Sequence, residues 1–154
     1  MRYAGGMRAL LALLLVIACG PALADDCGDL IGRVTAETRA EVGDRSLDYA
    51  TFTLGPDTTL TLACGGAHPS SVGAQFRGEA PPDSYYALFG RAGQAVTGVA
   101  AGVIEAAAHR ARDAASRLRH SNVDAGGVRV TCSVSQAEKG PLTLCAVIES
   151  ADRS

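Results

Sequence analysis

The sequence predicts an α+β domain: a small antiparallel sheet of four to five strands, built from two hairpins and a weaker strand, covered by one long helix and stapled by disulfides. Three observations carry that expectation. Apolar residues alternate with period two in 49–64 and again in 128–148; they recur at helical spacing across 84–119; and four cysteines remain once an N-terminal export segment is set aside. The composition agrees. The chain has 154 residues, 47% apolar and 19% charged, so it is a globular rather than a disordered sequence. Aromatics are only 5% and Trp is absent, so the core must be built mostly from Ala, Val and Leu. A formal charge of −2 argues against a cationic nucleic-acid binder.

The chain opens with MRYAGGMRALLALLLVIACGPALA. Arg2 and Arg8 precede the apolar run Ala9 to Ala18, Gly20 and Pro21 break it, and Ala22-Leu23-Ala24 places small residues before Asp25. That is the layout of a signal peptide over residues 1–24, leaving 25–154 as a single exported domain. The run is too short for a membrane span, which needs about 20 residues. A second cleavage reading competes: Val16-Ile17-Ala18-Cys19-Gly20 resembles a degenerate bacterial lipobox, which would make Cys19 a lipidation site. Cleavage after Ala24 takes Arg2 and Arg8 from the 14 basic residues and none of the 16 acids, for a formal charge of −4.

Cys27, Cys64, Cys132 and Cys145 then form an even set in an oxidising compartment, which reads as a disulfide framework. Four cysteines allow three connectivities, and here one pairing has a geometric argument. VRVTCSV and LTLCAVI flank the polar, turn-forming SQAEKGP; a hairpin centred between Glu138 and Lys139 opposes positions that sum to 277, as 132 and 145 do. Directly opposed residues at a non-hydrogen-bonded site lie about 4.5 Å apart at Cα, within disulfide reach. Cys27 and Cys64 pair by elimination. Without a C-x-x-C or clustered histidines, a redox pair or a metal site is the weaker alternative.

Taken in order, residues 28–42 suggest a short helix, with Leu30, Ile31, Val34 and Thr38 at helical spacing and Gly43 as a stop. In 49–64, Ala50, Phe52, Leu60 and Leu62 share one face of a hairpin around Gly55-Pro56-Asp57, and the other face is rich in threonine. Val72, Ala74 and Phe76 mark the weaker strand, and Pro81-Pro82 a rigid connection. Asp83 or Ser84 can cap a helix running to about Arg119, striped by Tyr85, Phe89, Ala92, Val96, Val99, Val103, Ala107, Ala114 and Leu118. Its glycines suggest a break near 90–94. Asn122, Gly126 and Gly127 end it before the last hairpin.

Functional signals are few. Gly98-x-x-x-Gly102 would let a second helix approach closely, as in a helix-mediated dimer, or let this helix sit tight on its own sheet. Arg110, Arg112, Arg117 and Arg119 form a basic cluster that suits a helix C-terminus, or contact with an anionic partner or membrane surface. His68, His109 and His120 lack metal-ligand spacing, and at most Tyr86 of the Tyr85-Tyr86 pair is free for contact. No G-x-S-x-G, H-E-x-x-H, P-loop or G-x-G-x-x-G is present, and no cofactor is expected. The expectation is a small exported, bacterial periplasmic, non-catalytic binding or interaction protein acting on an unknown protein or envelope component, without nucleic acid. The alternatives are a lipid-anchored envelope lipoprotein with its basic helix toward the membrane, or a small secreted hydrolase using His68 or His120 with a hydroxyl.

Overall fold

Period-two alternation reaches further along the chain than its apolar residues advertise. The computed structural model describes residues 26–66 and 68–150; residues 1–24, expected to be a signal peptide, and Cys19 within them lie outside the described residues. The elements are α1 (Asp26–Thr38), β1 (Glu41–Arg45), β2 (Tyr49–Leu54), β3 (Thr58–Ala63), β4 (Ser71–Arg77), α2 (Asp83–Thr97), α3 (Ala101–Leu118), β5 (His120–Ala125), β6 (Val128–Ala137) and β7 (Gly140–Glu149). The seven strands form one antiparallel sheet in the order β1-β2-β3-β4-β7-β6-β5. Two meanders, β1–β4 and β5–β7, are thus joined edge to edge by β4 and β7.

This corrects the expected sheet of four to five strands under one long helix. The two added strands are the edges. The helix expected over 28–42, with Gly43 as its stop, overlaps the first two residues of β1, and the segment expected to close the long helix at Asn122, Gly126 and Gly127 contains β5. Each carries a single Val, because an edge strand pairs on one side only and packs little of its surface. The first helix stops at Thr38, whose hydroxyl donates to the Val34 carbonyl (2.6 Å) and accepts from the Ala40 amide (3.2 Å), and Arg39 turns the chain with φ 58°.

The long helix is a helical hairpin. A 36-residue helix would extend about 54 Å, whereas the longest strands have 10 residues, about 34 Å. Folding back keeps the apolar stripe on the sheet. The break falls at Gly98 rather than at 90–94: Gly98 caps α2 in the left-handed region (φ 74°), and the Gln94 side chain accepts the Ala101 amide that opens α3 (2.8 Å). Gly90 and Gly93 lie inside α2, where the hairpin closes. A Cβ on Gly90 would come 2.6 Å from the Ala101 carbonyl oxygen, and one on Gly93 would come 2.8 Å from Ile104. The break also resets the helical phase. α3 buries Ile104, Ala107, Ala108, Ala111 and Ala115, while Val103 and Leu118, on the extrapolated stripe, are exposed.

All three helices lie on one face of the sheet. Phe52, Leu60, Leu62, Val72, Val130 and Val147 meet Leu88, Phe89 and Ile104 there, and α1 adds Leu30, Ile31 and Val34 to the same core. Polar contacts lock the helices to the β4–β7 seam. The buried Tyr85 hydroxyl donates to the Ala74 carbonyl (2.6 Å). Arg112 donates to the buried Thr143 hydroxyl (2.9 Å) and to the Glu79 carbonyl (3.1 Å).

Cys132 stands opposite Cys145, and Val130 opposite Val147, the register that the turn-centred arithmetic gives. Cys132 is bonded to Cys145, and Cys27 on α1 to Cys64 just past β3. In the chain-entropy model the loops of 37 and 13 residues correspond to about 4 and about 3 kcal/mol. Replacing Cys27 and Cys64 together by Ala should therefore cost about 1 kcal/mol more than replacing Cys132 and Cys145, measured by urea unfolding.

Burial pushes the Tyr85 phenol far above the ordinary tyrosine range, against a backbone hydrogen bond from Cys145 that lowers it; burial also raises Tyr86. Because the folded state holds these protons more tightly, their stabilisation is intact below about pH 10 and is lost as pH climbs from there toward the folded values. Tyr85→Phe should cost about 0.5–1.5 kcal/mol at neutral pH and flatten the alkaline loss, read from denaturant midpoints between about pH 7 and about pH 11.

Candidate functional site: the uncovered sheet face

With the helices on one side, every second strand residue on the other side is left uncovered. The registers arrange that face in rows. One row runs Tyr49, Ala63, Ser71, Ile148, Arg129 and Asp124. The next runs Thr51, Thr61, Gly73, Ala146, Thr131 and Asn122. A third runs Thr53, Thr59, Gln75, Leu144, Ser133 and His120. The face is broad and nearly neutral. Its Arg129 pairs with Asp124 across β5 and β6 at 2.8 Å, and Thr131 donates to Asn122 at 2.6 Å.

Two features separate this face from an ordinary solvated one. The first is β7. Thr143, Cys145 and Val147 point into the core, while Leu142, Leu144, Ala146 and Ile148 point out. Leu144 is 43% and Ile148 39% exposed. A central strand apolar on both faces is the pattern of a sheet covered on both faces. The second is Gly73, in the middle of β4. A Cβ there would make only ordinary contacts, 3.6 Å from the Cys145 carbonyl oxygen, and its φ is not in the left-handed region. Nothing inside the domain requires a glycine, and glycine in a strand interior commonly marks close approach of another backbone or a ligand.

The residues singled out by sequence fall elsewhere. Arg110, Arg117 and Arg119 are exposed on α3 and its C-cap, with Leu118 71% exposed beside them. Arg112 is turned into the seam, so the structure does not bring all four arginines to one surface. Gly98 and Gly102 lie on either side of the helix break and share no helical face. His68 is exposed in the β3–β4 connection, His120 opens β5 opposite Ser133, and His109 stacks on Tyr86 with ring centroids 3.7 Å apart. Among the described residues, no group of three His, Cys, Asp or Glu side chains is placed to hold a metal.

The depressions are open grooves rather than enclosed cavities. Two, of about 790 and 480 Å³, run along α1 and α2 and share Arg33, Ala36 and Val96. A third, of about 590 Å³, lies at the end of α3 beside Ser116, Arg119, Ser133 and Gln136. None gathers the nucleophile, base and orienting group of a hydrolytic centre. Compared with protein-family models, curated proteins and solved structures, the chain matches none.

Sequence reasoning saw the threonine-rich wet face of β2 and β3 but not its continuation. The available signal was LTLCAVI, apolar at both parities of a strand. Gly73→Ala should leave the fold intact and raise stability by about 0.5–1 kcal/mol, since it removes the entropic cost of a strand glycine while its Cβ makes only ordinary contacts; thermal melting checks this.

Proposed function

We propose that this chain is a non-catalytic binding and interaction domain, exported to the periplasm or beyond, that makes its contact through the uncovered sheet face. The observation that carries the reading is the outward apolar set of β7, Leu144, Ala146 and Ile148, set in a neutral field of hydroxyl-bearing side chains. Such a surface suits a macromolecule better than water: its centre is apolar and its rim is polar. Export is supported by two disulfides, which favour an oxidising compartment, and among the described residues no helix is long and apolar enough to cross a membrane.

Photo-crosslinking in the intact envelope tests the reading. With p-benzoylphenylalanine at Leu144, irradiation should give a discrete protein adduct; at Ala106, exposed on α3, it should give none. Absence of an adduct at Leu144, or equal adducts at both positions, would refute the assignment of the contact to this face.

A further inference from the structure

We infer that the uncovered face packs against a second copy of this chain, forming a two-fold dimer in which the two sheets stack as a sandwich. The inference rests on the reading of that face as the contact surface and names its occupant. The argument is self-complementarity. On β4 the outward residues Ser71 and Gly73 are small and Gln75 is longer and polar; on the adjacent β7 the outward Ile148 and Leu144 are large, either side of Ala146. A two-fold axis lying between the sheets, along the strands and between β4 and β7, sets β4 of each copy over β7 of the other. Ile148 then lies over Ser71 of the second copy, Ala146 over Gly73 and Leu144 over Gln75. The same operation brings Thr61 over Thr131, hydroxyl against hydroxyl. A two-fold interface must fit itself in this way, with one patch supplying both the projections and the hollows.

Charge does not oppose the arrangement. Arg129 and Asp124 are already paired within each copy, and the operation sets them over Ala63 and Tyr49 rather than over like charges. Gly73 gains a reason as well, because it falls at the centre, where two stacked sheets about 10 Å apart leave least room. The operation overlaps six strands, β2 to β7, and leaves β1 outside; at about 4.8 Å apart and five residues deep they give a footprint of roughly 500 Å² per copy, so roughly 1,000 Å² for the pair. That is at the threshold for a specific interface and points to a dimer of moderate affinity.

Sedimentation velocity on the exported, processed protein from about 1 µM to about 1 mM reads the association directly. The expected result is a monomer–dimer equilibrium with a midpoint of roughly 10–100 µM. Ala146→Arg and Gly73→Val should each weaken it at least about tenfold, while Ala106→Arg on α3 leaves it unchanged. Circular dichroism melts show that the variants fold; Gly73→Val, whose Cβ has room within the domain, keeps the test open if Ala146→Arg does not. A chain that stays monomeric to about 1 mM, or a dimer indifferent to both face variants, overturns the inference. The crosslink at Leu144 separates the two claims. An adduct of twice the chain mass supports both; an adduct of another mass overturns the dimer and keeps the contact face.

Discussion

The pairing of β4 with β7 is the constraint on which the rest of the structure depends. Each meander is local: β1 to β4 are joined by short turns, and so are β5 to β7. Only the ladder from Ser71–Ile148 to Arg77–Leu142 makes them one sheet. It joins strands about 70 residues apart in sequence, and loop closure over that length must be offset by burial on the inner face. The helical hairpin that links the meanders supplies the burial. It also donates the Tyr85 hydroxyl to β4 and the Arg112 guanidinium to β7, satisfying buried polar groups where helix and sheet meet.

A domain with so few rings needs other ways to hold together. Its largest fully buried side chains include only three aromatics, Tyr85, Phe52 and Phe89. Small residues compensate by closeness. Gly90 lets α2 meet the backbone of α3 at Ala101, Gly93 leaves room for the side chains of Ile104 and Val147, and the buried alanines of α3 let it pack closely on β5 and β6. The disulfides add covalent ties: one joins the N-terminal helix to the end of β3, and the other crosses the middle of the β6–β7 hairpin with both cysteines fully buried. Neither touches the uncovered face, so the scaffold is braced from the side opposite it.

That one-sided bracing leaves the outer face free to be specified by function. The three helices of the described chain are all committed to the inner layer. β7, central and flanked on both sides by paired strands, carries apolar residues toward a face that no part of the described chain covers. β1 and β5, by contrast, are short and polar, and β1 is interrupted by an irregular register between Val42 and Arg45. Such edges resist strand addition, which accords with the proposed stacking of sheets rather than with edge extension.

The sequence alone determined what is local and covalent. Alternation placed β2, β3, β4, β6 and β7, because a strand packed on one face must repeat every two residues. The spacing of the cysteines about the Glu138–Lys139 turn set the last hairpin's register, because antiparallel pairing conserves the sum of opposed positions. Tertiary structure decided the rest. The edge strands β1 and β5 lacked an apolar signal because pairing on one side demands little burial. The helix broke at Gly98 because a straight rod would overrun the sheet, and the new phase sent Leu118 outward and Arg112 in. The candidate site emerged only when β4 met β7: a face assembled from six strands' outward residues has no contiguous signature in the chain, since its neighbours in space are set by hydrogen-bond register rather than by sequence order.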